Sequence, residues 1–141
     1  MKQIFLFTCL FFLVSCCPTS QKDFRQEGET LSKKLLRDLQ AIQTREQLVK
    51  ALPILRGRFN DLVNLIMQAQ EAQGKYVEEW EEEALTFNEE LNFALFSELK
   101  RLYGLEGGRE LVEKAEREAL QRLSSFQTNF TKKRERESLL K

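Results

Sequence analysis

Chemistry in this chain has few places to reside. The three cysteines stand at positions 9, 16 and 17, and there is no histidine. That removes the commonest general base, the usual transition-metal ligand, and the Ser-His-Asp and Cys-His arrangements. Structural zinc would also need cysteine or histidine in number. The densest cluster of reactive groups is acidic. Glu78, Glu79, Glu81, Glu82, Glu83, Glu89 and Glu90 fall within residues 71–90, which hold eight acids and one base. Such a cluster offers a divalent-metal site or a docking patch for a basic partner, and glutamate pairs can also cleave polysaccharides. Di-iron bundles, however, combine glutamates with Glu-x-x-His, which this chain cannot supply. Carboxylates near a helix start also interact well with the helix dipole, at about 0.3–1 kcal/mol each. A solvated acidic face is therefore expected, with Glu78, Glu79, Glu82 and Glu83 as candidate partner contacts and no metal or cofactor. Ser124, Ser125, Asp61 and Asn64 have no base, oxyanion loop or glycine elbow around them, and Gly107-Gly108 is a turn rather than a phosphate loop. A non-catalytic protein is expected.

The cysteine at position 16 closes a distinctive leader. Lys2 and the amino terminus are positive, residues 4–14 are apolar except for Thr8, and small Ser15 precedes Cys16, after which the chain turns polar. Eleven residues fall short of the about 20 that a membrane-spanning helix needs. Phe5, Phe7, Phe11 and Phe12 leave the stretch apolar all round, with no polar face for a core helix. The order of charge, apolar run and small residue is that of a secretory signal peptide. Leu13-Val14-Ser15-Cys16 resembles the lipobox of bacterial lipoproteins. That resemblance implies a diacylglycerol on the Cys16 thiol, cleavage between Ser15 and Cys16, and residence in the cell envelope. Two or more acyl chains anchor stably where one does not. By analogy with lipoprotein sorting in some Gram-negative bacteria, the absence of Asp at position 17 favours the outer over the inner membrane.

Composition bounds the chain beyond the leader. Residues 16–141 suit one domain, large enough to bury a core without staples. Once Cys16 is acylated, Cys17 has no partner in its own chain, so no disulfide framework forms. Acidic and basic side chains balance at 22 each over the whole chain, so no global field draws it to nucleic acid. The last ten residues, with Lys132, Lys133, Arg134, Arg136 and Lys141, are locally basic. Cations there suit a helix end, and lipid headgroups are the other reading.

The elements that position these groups are helices. The division expected is a signal peptide at 1–15, a lipidated tether at 16–21, a helical bundle domain at 22–131 and a charged tail at 132–141. Ser20 with Asp23, or Thr30, caps a first helix over about 21–43, carrying Phe24, Gly28, Leu31, Leu35, Leu39 and Ile42 on one face. Thr44-x-x-Gln47 fits a capping box and opens a seam of Leu48, Leu52, Leu55, Phe59, Leu62 and Ile66 at a period near 3.5. Its phase runs undisturbed through Pro53, predicting one kinked helix to about residue 72 with Gly74 ending it in a left-handed conformation. A third helix is predicted over 76–103, through Trp80, Ala84, Phe87, Leu91, Leu95, Leu99 and Leu102, with Gly104 as cap. A fourth carries Val112, Ala115, Ala119, Leu123, Phe126 and Phe130 and frays after Thr131. No stretch alternates with period two. The fold class expected is all-α, an antiparallel bundle of about four helices.

Phe93 and Phe96, with Leu95, widen the apolar arc of the third helix beyond a narrow seam. Such an arc suits a bundle centre or a partner surface, and burial is the expectation. The function read from the sequence is a membrane-anchored lipoprotein whose helical domain binds or supports another envelope protein, or associates with itself, through helix faces. A lipid or small-ligand carrier with a cavity lined by Phe93, Leu95 and Phe96 is the alternative. A carboxylate enzyme stands behind both.

Overall fold

The computed structural model describes residues 20–75 and 88–139. Within them the chain is all-α: α1 (Gln21–Gln40), α2 (Arg45–Lys75), α3 (Glu89–Tyr103) and α4 (Gly108–Leu139). Local chemistry sets the helix starts. Ser20 Oγ accepts from the Asp23 amide at 3.2 Å while the Asp23 carboxylate accepts from the Ser20 amide at 3.1 Å. This reciprocal box satisfies two donors that a helix start otherwise leaves unpaired. Thr30 is not a cap. It lies inside α1, where its hydroxyl donates to the Gln26 carbonyl. The box at α2 forms as its sequence predicts: Gln47 N donates to Thr44 Oγ1 at 3.3 Å, and Gln47 Oε1 accepts from Thr44 N at 3.2 Å and from Gln43 N at 2.6 Å. Pro53 lies within α2 without breaking it. The helix also runs through Gly74 to Lys75, so Gly74 is not a left-handed stop.

Two boundaries differ from expectation. The described part of the third helix begins at Glu89, where Asn88 Oδ1 accepts from the Leu91 amide at 3.3 Å. An asparagine cap followed by Glu89 and Glu90 is a helix start by itself. A continuous helix from residue 76 is therefore replaced by a 15-residue one, and Trp80, Ala84 and Phe87 lie outside the described residues. At the other end, α4 continues through Leu139 rather than fraying at Thr131. The strong helix formers of its charged end, aided by Lys133 and Glu137 four residues apart, sustain it.

The helices alternate in direction along the chain. Asp38 bonds Arg58, and Gly28 faces Leu65, so α1 and α2 are antiparallel. Arg122 on α4 donates to Asn60 Oδ1 at 2.8 Å and Asn64 Oδ1 at 2.7 Å. Gln70 and Gln73 face Gln127 and Phe130 further along, so α2 and α4 run parallel. Arg101 Nη2 donates to the Leu39 carbonyl, which brings the carboxyl ends of α1 and α3 together. Among the described residues, contacts join α1 to α2, α2 to α4, α4 to α3 and α3 to α1, with none between α2 and α3 or α1 and α4. Around the bundle the order is thus α1–α2–α4–α3. The long intervening stretch 76–88 permits α2 and α3 to stand diagonally opposite.

The core concentrates where the two short connections lie. Leu35, Leu39, Ile42, Leu48, Leu55, Leu102, Val112 and Ala115 are buried together, with Leu52, Phe59, Leu62, Leu95 and Leu99 packed around them. Gly104 caps α3 in the right-handed region, Leu105 packs on the core, and the left-handed residue of the turn is Gly107 at φ 63°.

Two glycines respond oppositely to an added methyl. A Cβ at Gly108 would overlap the Leu102 carbonyl oxygen, a backbone atom with no freedom to retreat. At Gly28, within α1, it would make ordinary contact with Leu65 Cδ2 at 3.6 Å. Gly108→Ala is expected to destabilise the fold by about 1–3 kcal/mol. Gly28→Ala is expected to stabilise it by roughly 0.5–1 kcal/mol through helix propensity. Urea denaturation followed by circular dichroism measures both.

Candidate interaction surface

Both ends of α3 match the helix dipole, with Glu89 and Glu90 in the first turn and Lys100 and Arg101 in the last. Leu95, Leu99 and Leu102, at spacings of four and three, form its inward face and pack on the core. Arg101 pins that face. Its guanidinium bonds Glu98 Oε2 at 2.7 Å and the Leu39 carbonyl at 3.0 Å, supplying a cation to the carboxyl end of α1.

Burial of Phe93 and Phe96 is overturned. They are 74% and 66% exposed. The reason is geometric: α3 touches only α1 and α4 among the described residues, and the leucine stripe fills that contact. At 100° per residue, Phe93 and Phe96 fall on the far side of the helix, beside Glu89 and Lys100. All four are exposed. Neither Glu89 nor Lys100 forms an ion pair among the described residues. The result is an apolar patch bounded by one acid and one base along a single helix face.

Tyr103 carries this surface toward α4. It is 39% exposed, and burial pushes its phenol pKa up, with Glu116 and Glu113 adding and Arg109 opposing. Arg109 itself bonds Glu113 at 2.7 Å. Glu116 is also raised, by burial first and by Glu113 second.

A second recess lies between the carboxyl-terminal parts of α2 and α4. It has a volume of about 410 Å³ and is lined by Gln70, Gln73, Gln127, Phe130, Thr131 and Arg134. Phe130 stacks on Phe126 at 5.6 Å, and Arg134 lies 6.0 Å from its ring centre. The buried Gln70 Oε1 has no hydrogen-bond partner among the described residues. Phe93 and Phe96 face solvent and do not line this recess.

Of the candidate partner contacts named from the sequence, only Phe93 and Phe96 are brought together on a described surface. Cys16, Glu78, Glu79, Glu82 and Glu83 lie outside the described residues. Asn64 is taken by Arg122. Among the described residues no cluster of three or more Cys, Asp or Glu is arranged to hold a metal ion, and no helix is long and apolar enough to cross a membrane. What the sequence reading missed is the framing of the phenylalanines by Glu89 and Lys100. Spacing alone could have found it, because positions 89, 93, 96 and 100 share one face of any helix that contains them. Compared with family models, curated proteins and solved structures, the chain matches none.

The α3–α4 edge makes a pH-dependent prediction. A carboxyl whose folded pKa is raised costs stability above that pKa, and the cost disappears as pH falls to the ordinary glutamate range near about 4.3. Glu116→Gln is therefore expected to raise the melting temperature at pH 7. The difference from the parent chain should close as the pH is lowered to about 4. Thermal melts across that range test the sign, and a variant less stable at pH 7 would contradict it.

Proposed function

We propose that this chain is a lipid-anchored envelope lipoprotein whose helical domain is a non-catalytic binding module acting through the outer face of α3. The observation that carries the binding role is the exposure of Phe93 and Phe96 on a helix whose inward face is already filled. Two adjacent, largely exposed phenylalanines expose apolar surface to water without serving the core, and contiguous patches of this kind mark interaction sites. Support for the anchor is separate and comes from the leader and from Leu13-Val14-Ser15-Cys16. Cys16 is the acylated residue in this reading, and residues 17–20 tether the first helix to the bilayer.

Each half has its own test. Metabolic labelling with radioactive palmitate should mark the parent chain and not Cys16→Ala. Label retained in that variant would remove the anchor assignment. For the binding role, the tagged chain extracted from membranes should co-isolate an envelope partner or a second, differently tagged copy of itself. The Phe93→Ser, Phe96→Ser double variant should lose that partner while keeping its helix content, because the side chains removed are already in solvent. Equal capture by the double variant would show that α3 is not the binding face.

A further inference from the structure

The patch on α3 has a symmetry that names its occupant. Phe93 and Phe96 are three residues apart. Glu89 stands four residues before Phe93, and Lys100 stands four residues after Phe96. All four share one exposed helix face, and the midpoint of the phenylalanine pair is also the midpoint of the charged pair. Asn92 and Ser97, both exposed, flank the phenylalanines about the same point. Reversing the helix end for end therefore exchanges Phe93 with Phe96, Asn92 with Ser97, and Glu89 with Lys100.

We infer that a second copy of this chain covers the Phe93–Phe96 patch, with the two α3 helices packed antiparallel about a two-fold axis. In that arrangement Phe93 meets the partner's Phe96 and Phe96 meets the partner's Phe93. Glu89 faces the partner's Lys100 at one end, and the same pair repeats at the other. An isologous interface requires self-complementarity of this kind. A parallel pairing in register would set Glu89 against Glu89 and Lys100 against Lys100, which like-charge repulsion disfavours. The inference rests on reading the Phe93–Phe96 face as a binding surface and adds the identity of the partner.

The available area sets the strength. Four phenylalanines bring about 150–250 Å² each, and most of that is exposed in the single chain. Even with the flanking residues, the interface sits at or below the about 1,200 Å² of a standard complex. Association in free solution is accordingly weak and concentration-dependent. Confinement to a membrane would strengthen it by raising the effective concentration.

Sedimentation equilibrium tests this on the chain from Pro18 to Lys141, which keeps every described helix, cap and core residue. Circular dichroism confirms that each variant is folded. The expected result is a reversible monomer–dimer equilibrium below about 1 mM. Lys100→Glu should weaken it by about tenfold or more, since it opposes like charges at both ends. Combining Glu89→Lys with Lys100→Glu should restore it, because the exchanged pair is again complementary. Three outcomes would overturn the dimer: a parent chain that stays monomeric throughout, association that survives Phe93→Ser with Phe96→Ser, or a charge-exchanged variant that stays monomeric while helical. If the chain is monomeric yet loses a different captured protein in the phenylalanine double variant, self-pairing falls and the binding module stands. If neither association nor capture depends on the phenylalanines, both fall.

Discussion

Four helices converge on one apolar plug, and every other feature is placed by it. Leu39 from α1, Leu48 and Leu55 from α2, Leu102 from α3 and Val112 from α4 are all fully buried. Leu39, Leu48, Leu102 and Val112 sit close to the two short connections, and Leu55 lies about three turns into α2. At about 25 cal/mol per Å² of apolar surface removed from water, this end supplies the strongest cohesion in the molecule. The close backbone approach at Gly108 belongs to the same construction. The amino end of α4 comes so near the Leu102 carbonyl that no side chain fits between them. Away from the plug the burial thins. Val63 and Ala119 are still covered, whereas Ile66 and Leu120 are not.

Polar clamps then set the lateral order that apolar packing leaves open. Apolar stripes on four helices would fill several arrangements about equally well. Arg122 reaching both Asn60 and Asn64 fixes α4 beside α2 in a parallel sense, and Arg101 on the Leu39 carbonyl fixes α3 beside α1. Arg58 with Asp38 does the same for α1 and α2. Each of these bonds is lost if the diagonal and lateral pairs are exchanged. Exposed ion pairs contribute little to stability. As determinants of which helix stands beside which, the same bonds carry more weight.

This division explains what was legible in the sequence. The all-α class and the caps at Ser20 and Thr44 are written in neighbouring residues, and the leucine stripes of α1 and α2 are written in spacing. Lateral order is not, because Arg122 and Asn60 are sixty-two positions apart and nothing in either neighbourhood points to the other. The start of α3 is masked by a helical pattern that continues upstream of Asn88. The sequence reading assigns Phe93 and Phe96 to the core because they widen an apolar arc, and an apolar arc does not report that a neighbour exists to cover it. Here α3 has contacts on the leucine side only, among the described residues. The candidate surface is thus named by residue in the sequence but assigned to the wrong environment.

The proposed anchor and the proposed pairing constrain one another. Arg101 and Leu39 bring the carboxyl ends of α1 and α3 together, so the amino end of α1 lies at the same end of the bundle as the amino end of α3. Reversing one α3 against another therefore puts the two amino-terminal tethers at opposite ends of the pair. From Cys16 to Ser20 the chain reaches about 14 Å when fully extended, far less than the roughly 30 Å length of α1. Two bundles standing upright on one bilayer could not pair this way, since one of the anchors would be held out of reach. Both anchors reach a single membrane when the helices lie along its surface and the two-fold axis runs along the membrane normal. Otherwise the pair joins two facing membranes. Together, the proposed contact on α3 and the proposed anchor at Cys16 would leave the domain these two orientations, a restriction that neither would impose alone.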